Sequence, residues 1–307
     1  MCSLEGEKIF ITGGAGSLGR MLARILSPSN QVVIYSRSEE RQFEMQQEIG
    51  DRNIQYMIGD VRDCQELTRA LQGCTIAIHA AAMKDILRCQ RQPLQAILNN
   101  ICGTRAFLEA AIQNRIGKII GVSTDKAASP ASVYGASKYL MEHLVLEASQ
   151  TISGQAYCIR FGNMIDSKGS LVPIWKNNPN RNISISALGV SRFFFTVKTA
   201  ATRVIQVLIS GKNGLIYIPK MKQAKIIKIL QLLTGKKEFL MNGLCAGEKL
   251  HEILVSEEER KFCFEEDDFF VLDYRKVNTC PPKIPTSEWA EEIPQEELYK
   301  MICSETV

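Results

Sequence analysis

Nowhere in the 307 residues do 18 apolar residues run together, so the chain lacks a segment able to cross a bilayer as a helix. Its first eight residues have no basic start and no apolar core, so they are not expected to be a secretory leader. Histidine is scarce, at three residues. The ten cysteines stand at 2, 64, 74, 89, 102, 158, 245, 263, 280 and 303, never in Cys-x-x-Cys spacing. That scatter argues against a zinc site or a disulfide frame and is expected of reduced thiols in the cytoplasm. The net charge of +4 is too small to imply nucleic acid but suits an anionic small-molecule substrate. Repeats and low-complexity tracts are absent too. What remains, 45% hydrophobic and 23% charged, is an ordinary globular composition. The length suits one large α/β domain with an appended lobe.

The first structured stretch is a short β-branched run, Lys8 to Thr12, followed by Gly13, Gly14, Gly16 and Gly19 and by helical apolar spacing from Arg20 to Leu26, which Pro28 stops. Strand, glycine turn and helix together form the context in which backbone N–H groups receive a pyrophosphate. Gly13, Gly16, Ser17, Leu18 and Gly19 are therefore expected to line a dinucleotide site. A tight turn without a ligand is the plain alternative.

Gln31 to Tyr35 is the second strand. An NAD site usually places a carboxylate after it, on the ribose 2′-hydroxyl; here Ser36, Arg37 and, a turn on, Arg41 stand instead. A hydroxyl and cations suit a 2′-phosphate, so NADP is expected, although Glu39 and Glu40 leave open that Arg37 is a solvated loop charge. A third strand, Ile54 to Gly59, ends in Asp60 and Val61, placed for an adenine amino group. A fourth, Thr75 to His79, ends in Ala80, Ala81 and Ala82, small enough for a flat cofactor to lie close. His79 reads as a core residue. Lys84 either reaches a cofactor phosphate or faces water. Pro93 to Asn114 reads as one long helix with Asn100 on its buried side.

The densest chemistry follows the fifth strand, Lys118 to Ser123. Thr124, Asp125 and Lys126 come first, then Tyr134 and Lys138, four apart and so on one side of a helix. Open α/β sheets place ligands at the carboxyl ends of their strands. A polar loop before an ordinary helix is the competing reading, with Asp125 and Lys126 a neutralised surface pair. A sixth strand, Gln155 to Arg160, runs into Phe161, Gly162 and Asn163. Strands alternating with helices over about 160 residues predict a doubly wound, Rossmann-type parallel sheet.

After Asn163 the composition shifts, with Gly, Ser, Lys, Asn and Pro over 166–182. The expected division is a dinucleotide domain over 1–165, with 196–212 packing back on it, and a smaller α/β substrate lobe from 166–195 and 213–307. In that lobe Arg192 stands among aromatics, a helix covers 198–210, a strand covers Gly214 to Ile218, and Ala246 to Glu252 forms a polar cluster that opens another helix. The last forty residues, acidic and then Pro-rich, carry no assignable chemistry.

Thr12 to Gly19 resembles the fingerprint of extended short-chain dehydrogenases/reductases, and Tyr134-x-x-x-Lys138 resembles their catalytic pair. More narrowly, residues 123–127, 134–138, 160–163 and 247–252, together with Tyr35 to Arg37, resemble UDP-N-acetylglucosamine 4,6-dehydratases of polysaccharide and flagellin-sugar synthesis. The resemblance runs to about residue 260. Its discriminating tripeptide is Thr124-Asp125-Lys126, where dTDP-glucose dehydratases carry Thr-Asp-Glu. It implies a tightly bound, recycled NADP, a UDP-sugar substrate, no metal and a homo-oligomer. The lack of a membrane span points to the soluble branch, which inverts C5. Cys245 and Ala246 depart from the usual Arg-Pro before Gly247, and the missing arginine ordinarily helps hold the diphosphate. Cys102 replaces a frequent Asn, a packing change.

By that resemblance Tyr134 is the base at the sugar O4, lowered by Lys138, which also holds the nicotinamide ribose, and Thr124 shares a hydrogen bond with O4. Lys126, partly desolvated beside a cation and so neutral enough, is the base at C5, and Asp125, raised by burial, is the acid at O6. Asn163 is a candidate for substrate contact, Arg192 for the diphosphate and Glu248 for the uridine ribose, and Lys84 is also within the substrate set. Each could instead be structural. A nucleotide-sugar 4-epimerase on the same fold would not need Asp125 and Lys126. A non-catalytic dinucleotide sensor would tolerate a broken site, which this is not.

Overall fold

The computed structural model describes residues 4–50, 53–176, 184–236 and 239–303. Cys2 and the 177–182 part of the punctuated segment lie outside them. The strands, in chain order, are β1 Lys8–Thr12, β2 Gln31–Ser36, β3 Ile54–Ile58, β4 Ile76–His79, β5 Lys118–Thr124, β6 Gln155–Phe161 and β7 Asn163–Met164. They continue as β8 Ser184–Ile185, β9 Ser191–Phe195, β10 Ile216–Pro219, β11 Lys222–Lys225, β12 Leu240–Met241, β13 Cys263–Glu266 and β14 Phe269–Leu272. Nine of them form one sheet in the order β13-β14-β10-β6-β5-β4-β1-β2-β3. From β10 to β3 all neighbours are parallel, and the β13–β14 hairpin closes one edge antiparallel.

The inner strands are buried on both faces, as a parallel sheet requires, while β3 at the edge is partly exposed. Along β1, Phe10 packs into one core layer while Ile9 and Ile11 pack into the other, following the two-residue period of a strand. The second layer includes Ala200, Ala201, Val204, Val207 and Leu208 of helix Val197–Ser210. That helix also packs beside helix Ser17–Leu26. A third, separate core, with Ile165, Val190, Phe194, Ala224, Ile226 and Leu230, lies under β9 and β11.

The strand reading needs one correction. β10, β13 and β14 extend the large sheet rather than building the lobe. Ile216 pairs with Cys158 of β6, a contact 58 positions away along the chain that local periodicity does not encode.

The stretch from Pro93 to Gln113 is continuous helix but not uniform. Ile97–Cys102 is a π-helical segment between α-helical Pro93–Ala96 and Gly103–Gln113. Wide turns of this kind often mark functional sites. Here the segment places Asn100, 1% exposed, so that Met83 N donates to its Oδ1 at 2.7 Å and its Nδ2 donates to Ser137 Oγ at 2.9 Å. The loop after β4 is thereby fastened to helix Val133–Ala148.

Candidate active site

Thr12, Ser36, Ile58, His79, Thr124 and Phe161 end strands β1 to β6, so the residues that follow them converge on one edge of the sheet. Gly13 adopts φ +66°, and a Cβ there would lie 2.9 Å from the Ala81 backbone. A side chain is therefore excluded on two counts. A Cβ on Gly19 would lie 2.5 Å from Gly14 Cα, so the helix starts flush against the turn. Thr12 Oγ1 accepts from Ala81 N at 3.2 Å, and Ala80 N donates to Thr12 O at 3.2 Å. The glycine turn and the Ala80–Ala81 floor are thus one rigid surface that fits a dinucleotide. Leu18 is buried behind it.

The segment after β7 lies over this cradle. Lys168 N donates to Ser17 Oγ at 3.0 Å, and Lys84 Nζ donates to Lys168 O at 3.4 Å. Arg37 and Arg41 are exposed beyond β2. Arg37 Nη1 donates to Asn99 Oδ1 at 3.1 Å, and Ser36 Oγ accepts from Gln42 Nε2 at 3.0 Å. Asp60 is gripped by Arg62 through two bonds of 2.9 and 2.6 Å, which hold its carboxyl below the usual range against the opposing effect of partial burial. Its backbone carbonyl takes the Tyr35 hydroxyl at 3.1 Å. Val61 is buried against Gly103. His79 sits in the core between Thr12 and Thr104, at 2.9 and 3.0 Å, and burial pushes it down to about 3.

Beside the cradle, helix Val133–Ala148 starts from Ser132, whose Oγ accepts from Gly135 N at 3.0 Å. Tyr134 and Lys138 rise from its first two turns, Lys138 only 3% exposed. Burial pushes the Tyr134 phenol up to about 12, a rise that Lys126 and the Thr124 hydroxyl only partly offset. Burial drives Lys138 down to about 8. The expected near-neutral phenol is therefore not a property of the chain by itself. Desolvation penalises the phenolate and the ammonium alike.

Asp125 is fully buried. Its Oδ1 takes the Thr124 hydroxyl at 2.9 Å and the Lys126 ammonium at 2.9 Å, while Oδ2 is buried with no protein partner. Lys126 Nζ donates also to Asn163 Oδ1 at 3.0 Å and lies 3.7 Å from Glu252 Oε1. Desolvation pulls its pKa down, but Asp125 and Glu252 together outweigh that and hold it above the usual lysine value. In the chain by itself Lys126 is therefore not the neutral amine expected, because two carboxylates face its ammonium.

Sequence pattern gives Glu252 no role of its own, only a place in the polar cluster 246–252 expected to open a helix. The structure has no helix there. Gly247 turns the chain at φ +83°, with its Cβ position 2.8 Å from Ser132 Cβ. Glu248 Oε1 takes Arg192 Nη2 at 3.0 Å and its Oε2 takes Ser186 Oγ at 2.7 Å. Arg192 Nη1 donates to Ser191 O at 2.7 Å and to Leu250 O at 3.1 Å. Its guanidinium is thus spent on protein acceptors rather than free. Behind the site, Arg160 joins Glu142 and Glu259 in a fully enclosed cluster. Among the described residues no group of three or more metal-ligating side chains is present, and no helix is long and apolar enough to cross a membrane.

Comparison with known proteins gives this arrangement a family. Residues 9–273 match the profile described as "Polysaccharide biosynthesis protein". The chain is 33% identical over 278 residues to the inverting UDP-N-acetylglucosamine 4,6-dehydratase of Campylobacter jejuni, covering 87% of this chain and 83% of that one. It is also 33% identical over 289 residues to a UDP-glucose 4-epimerase of Rickettsia rickettsii, covering 89% and 85%. Among solved structures, Pen from Bacillus thuringiensis superposes with a TM-score of 0.91 at 30% identity, covering 98% of each chain. The chain belongs to the polysaccharide biosynthesis protein family, on the extended short-chain dehydrogenase/reductase fold.

Proposed function

We propose that the protein is a nucleotide-sugar 4,6-dehydratase acting on UDP-N-acetylglucosamine with NADP, inverting C5 to give a UDP-4-keto-6-deoxy-L-hexosamine for glycan synthesis. The observation that carries this reading is the Asp125–Lys126 pair, held at 2.9 Å in the crevice that also presents Tyr134 and Lys138. An oxidation and re-reduction at C4 alone, as in an epimerase, gives such a pair nothing to do.

The glycine cradle, Leu18 and the Ala80–Ala81 floor fit the dinucleotide, with Lys84 over the phosphates, Asp60 and Val61 at the adenine, and Ser36, Arg37 and Arg41 at a 2′-phosphate. When bound, NADP supplies a transient store for the C4 hydride, which returns at C6. Beside that cationic cofactor Tyr134 takes the proton from O4, with Lys138 beneath it and Thr124 sharing the O4 hydrogen bond. One proton moved along the 2.9 Å bond from Lys126 Nζ to Asp125 Oδ1 makes a neutral amine and a carboxylic acid together. The amine then takes the C5 proton and the acid protonates the departing 6-hydroxyl, so that water leaves. A proton redelivered to the opposite face of C5 completes the inversion. Asn163 orients Lys126 toward the sugar. Arg192 reaches the diphosphate by exchanging Glu248, which is then free for the uridine ribose.

The nine unpaired cysteines among the described residues fit a cytoplasmic setting, and exposed Leu94, Ile97 and Leu140 fit self-association. The reading is tested by incubating the protein with UDP-N-acetylglucosamine and following loss of one water by mass spectrometry, with NMR of the product in deuterated water. An unchanged mass with a new C4 epimer overturns it in favour of the epimerase.

A further inference from the structure

Glu252 is a buried carboxylate, 2% exposed, whose Oε2 has no hydrogen-bond partner among the described residues. Its Oε1 lies 3.7 Å from Lys126 Nζ and 3.8 Å from Arg192 Nε. Its backbone is fixed in place, since its N–H donates to Ser287 Oγ at 2.8 Å and its carbonyl takes Ser287 N at 2.8 Å. A carboxylate left this dry is costly unless cations compensate it, and two cations from different elements, Lys126 after β5 and Arg192 on β9, approach the same oxygen.

We propose that Glu252 is a positioning residue for the elimination: one buried anion that holds the Lys126 ammonium at the sugar end and the Arg192 guanidinium at the diphosphate end. The proposal rests on the dehydratase reading for what Lys126 does, but not for where Glu252 places it. Four charged groups face Glu252: Lys126 and Asp125 from the end of β5, Arg192 from β9 and Lys249 from its own loop. Burial raises Glu252, while Lys126, Arg192 and Lys249 oppose that rise. Lys126 in turn owes part of its retained proton to Glu252. The site thus keeps a protonated lysine between two carboxylates. The nearer, Asp125, exchanges its proton; the farther, Glu252, sets how readily that proton leaves.

Two readouts separate this from simple packing. The first needs no turnover: the pH dependence of Lys126 acetylation by acetic anhydride, read by peptide mass spectrometry. Glu252→Gln keeps the shape and removes the charge, and is expected to lower the Lys126 midpoint by about one pH unit or more. Glu252→Asp, which keeps the charge but draws it back, is expected to fall between. The second readout is water loss from UDP-N-acetylglucosamine, where the acidic limb of the rate profile moves with the labelling midpoint. Labelling midpoints in both variants that superimpose on the wild type overturn the proposal, and the aspartate variant decides alone if the glutamine variant does not fold. A midpoint shift in the variants together with no water loss by the wild type leaves Glu252 as assigned and overturns the dehydratase reading instead.

Discussion

Arg160 and Glu142 meet as a bidentate pair in which both side chains are fully buried: Nε to Oε1 at 2.9 Å and Nη2 to Oε2 at 2.7 Å. Glu142 lies on the helix that carries Tyr134 and Lys138, and Arg160 lies on β6, three residues before Asn163. Arg160 also donates to both oxygens of Glu259, at 3.0 and 2.8 Å, and to Leu254 O at 2.8 Å. Glu259 closes a capping box with Ser256 just beyond the Glu248–Glu252 loop. One guanidinium therefore ties the helix of Tyr134 and Lys138 to the segment that follows Glu252.

Removing Arg160 leaves two buried carboxylates without their cation. Arg160→Met is expected to cost about 3–5 kcal/mol, read as a lower urea midpoint with an unchanged slope. A loss below about 1 kcal/mol means the cluster is dispensable to the fold.

The opposite sign is expected at Lys138. Its folded value of about 8 lies below the ordinary lysine value near 10.4. Between those values the unfolded chain binds more protons, so stability rises with pH across that window; below it the cost of burying the ammonium is present in full. In protein stripped of nucleotide, Lys138→Met is expected to unfold later at pH 7, by about 1–3 kcal/mol, with the advantage shrinking by pH 10. It is also expected to lose turnover. A pH-independent difference sinks the argument.

Strands β1 to β6, the glycine turn and the Tyr134–Lys138 spacing were legible because each is a local pattern: a β-branched run, a turn before a helix, a four-residue repeat. What was illegible is long-range. Arg160 finds Glu259 across 99 positions, and β10 finds β6 only once the sheet exists. The π segment at Ile97–Cys102 has no sequence marker, with neither Gly nor Pro inside it. The helix expected to open at the 246–252 cluster does not form there, and Gly247 at φ +83° leaves the right-handed helical region. Glu252 went unassigned because its partners come from the turn after β5 and from β9.

Arg37 is the residue on which the NADP expectation turns. Its guanidinium reaches Asn99 through Nη1 and stands exposed beyond β2. Arg37→Ala is expected to weaken NADP about tenfold or more, the worth of one charge-assisted contact of roughly 1.5–3 kcal/mol, and to leave NAD nearly unchanged. Isothermal titration with both nucleotides checks this, as does the identity of the nucleotide released on denaturation. NAD alone in wild-type protein overturns the assignment.

Asp125→Asn separates elimination from oxidation. The amide keeps the size of the side chain, and its oxygen can still accept from Lys126, but it has no proton to give a leaving hydroxide. Water loss from UDP-N-acetylglucosamine is expected to fall by about 10²–10⁴, the usual worth of a positioned general acid. Oxidation at C4 needs only Tyr134, Lys138 and the cofactor, so absorbance at 340 nm is expected to rise on mixing with substrate and to persist. In the wild type the same signal appears only transiently. Wild-type rates of water loss in the variant remove Asp125 from the acid role, and loss of the 340 nm signal as well means that the substitution disturbs the site as a whole.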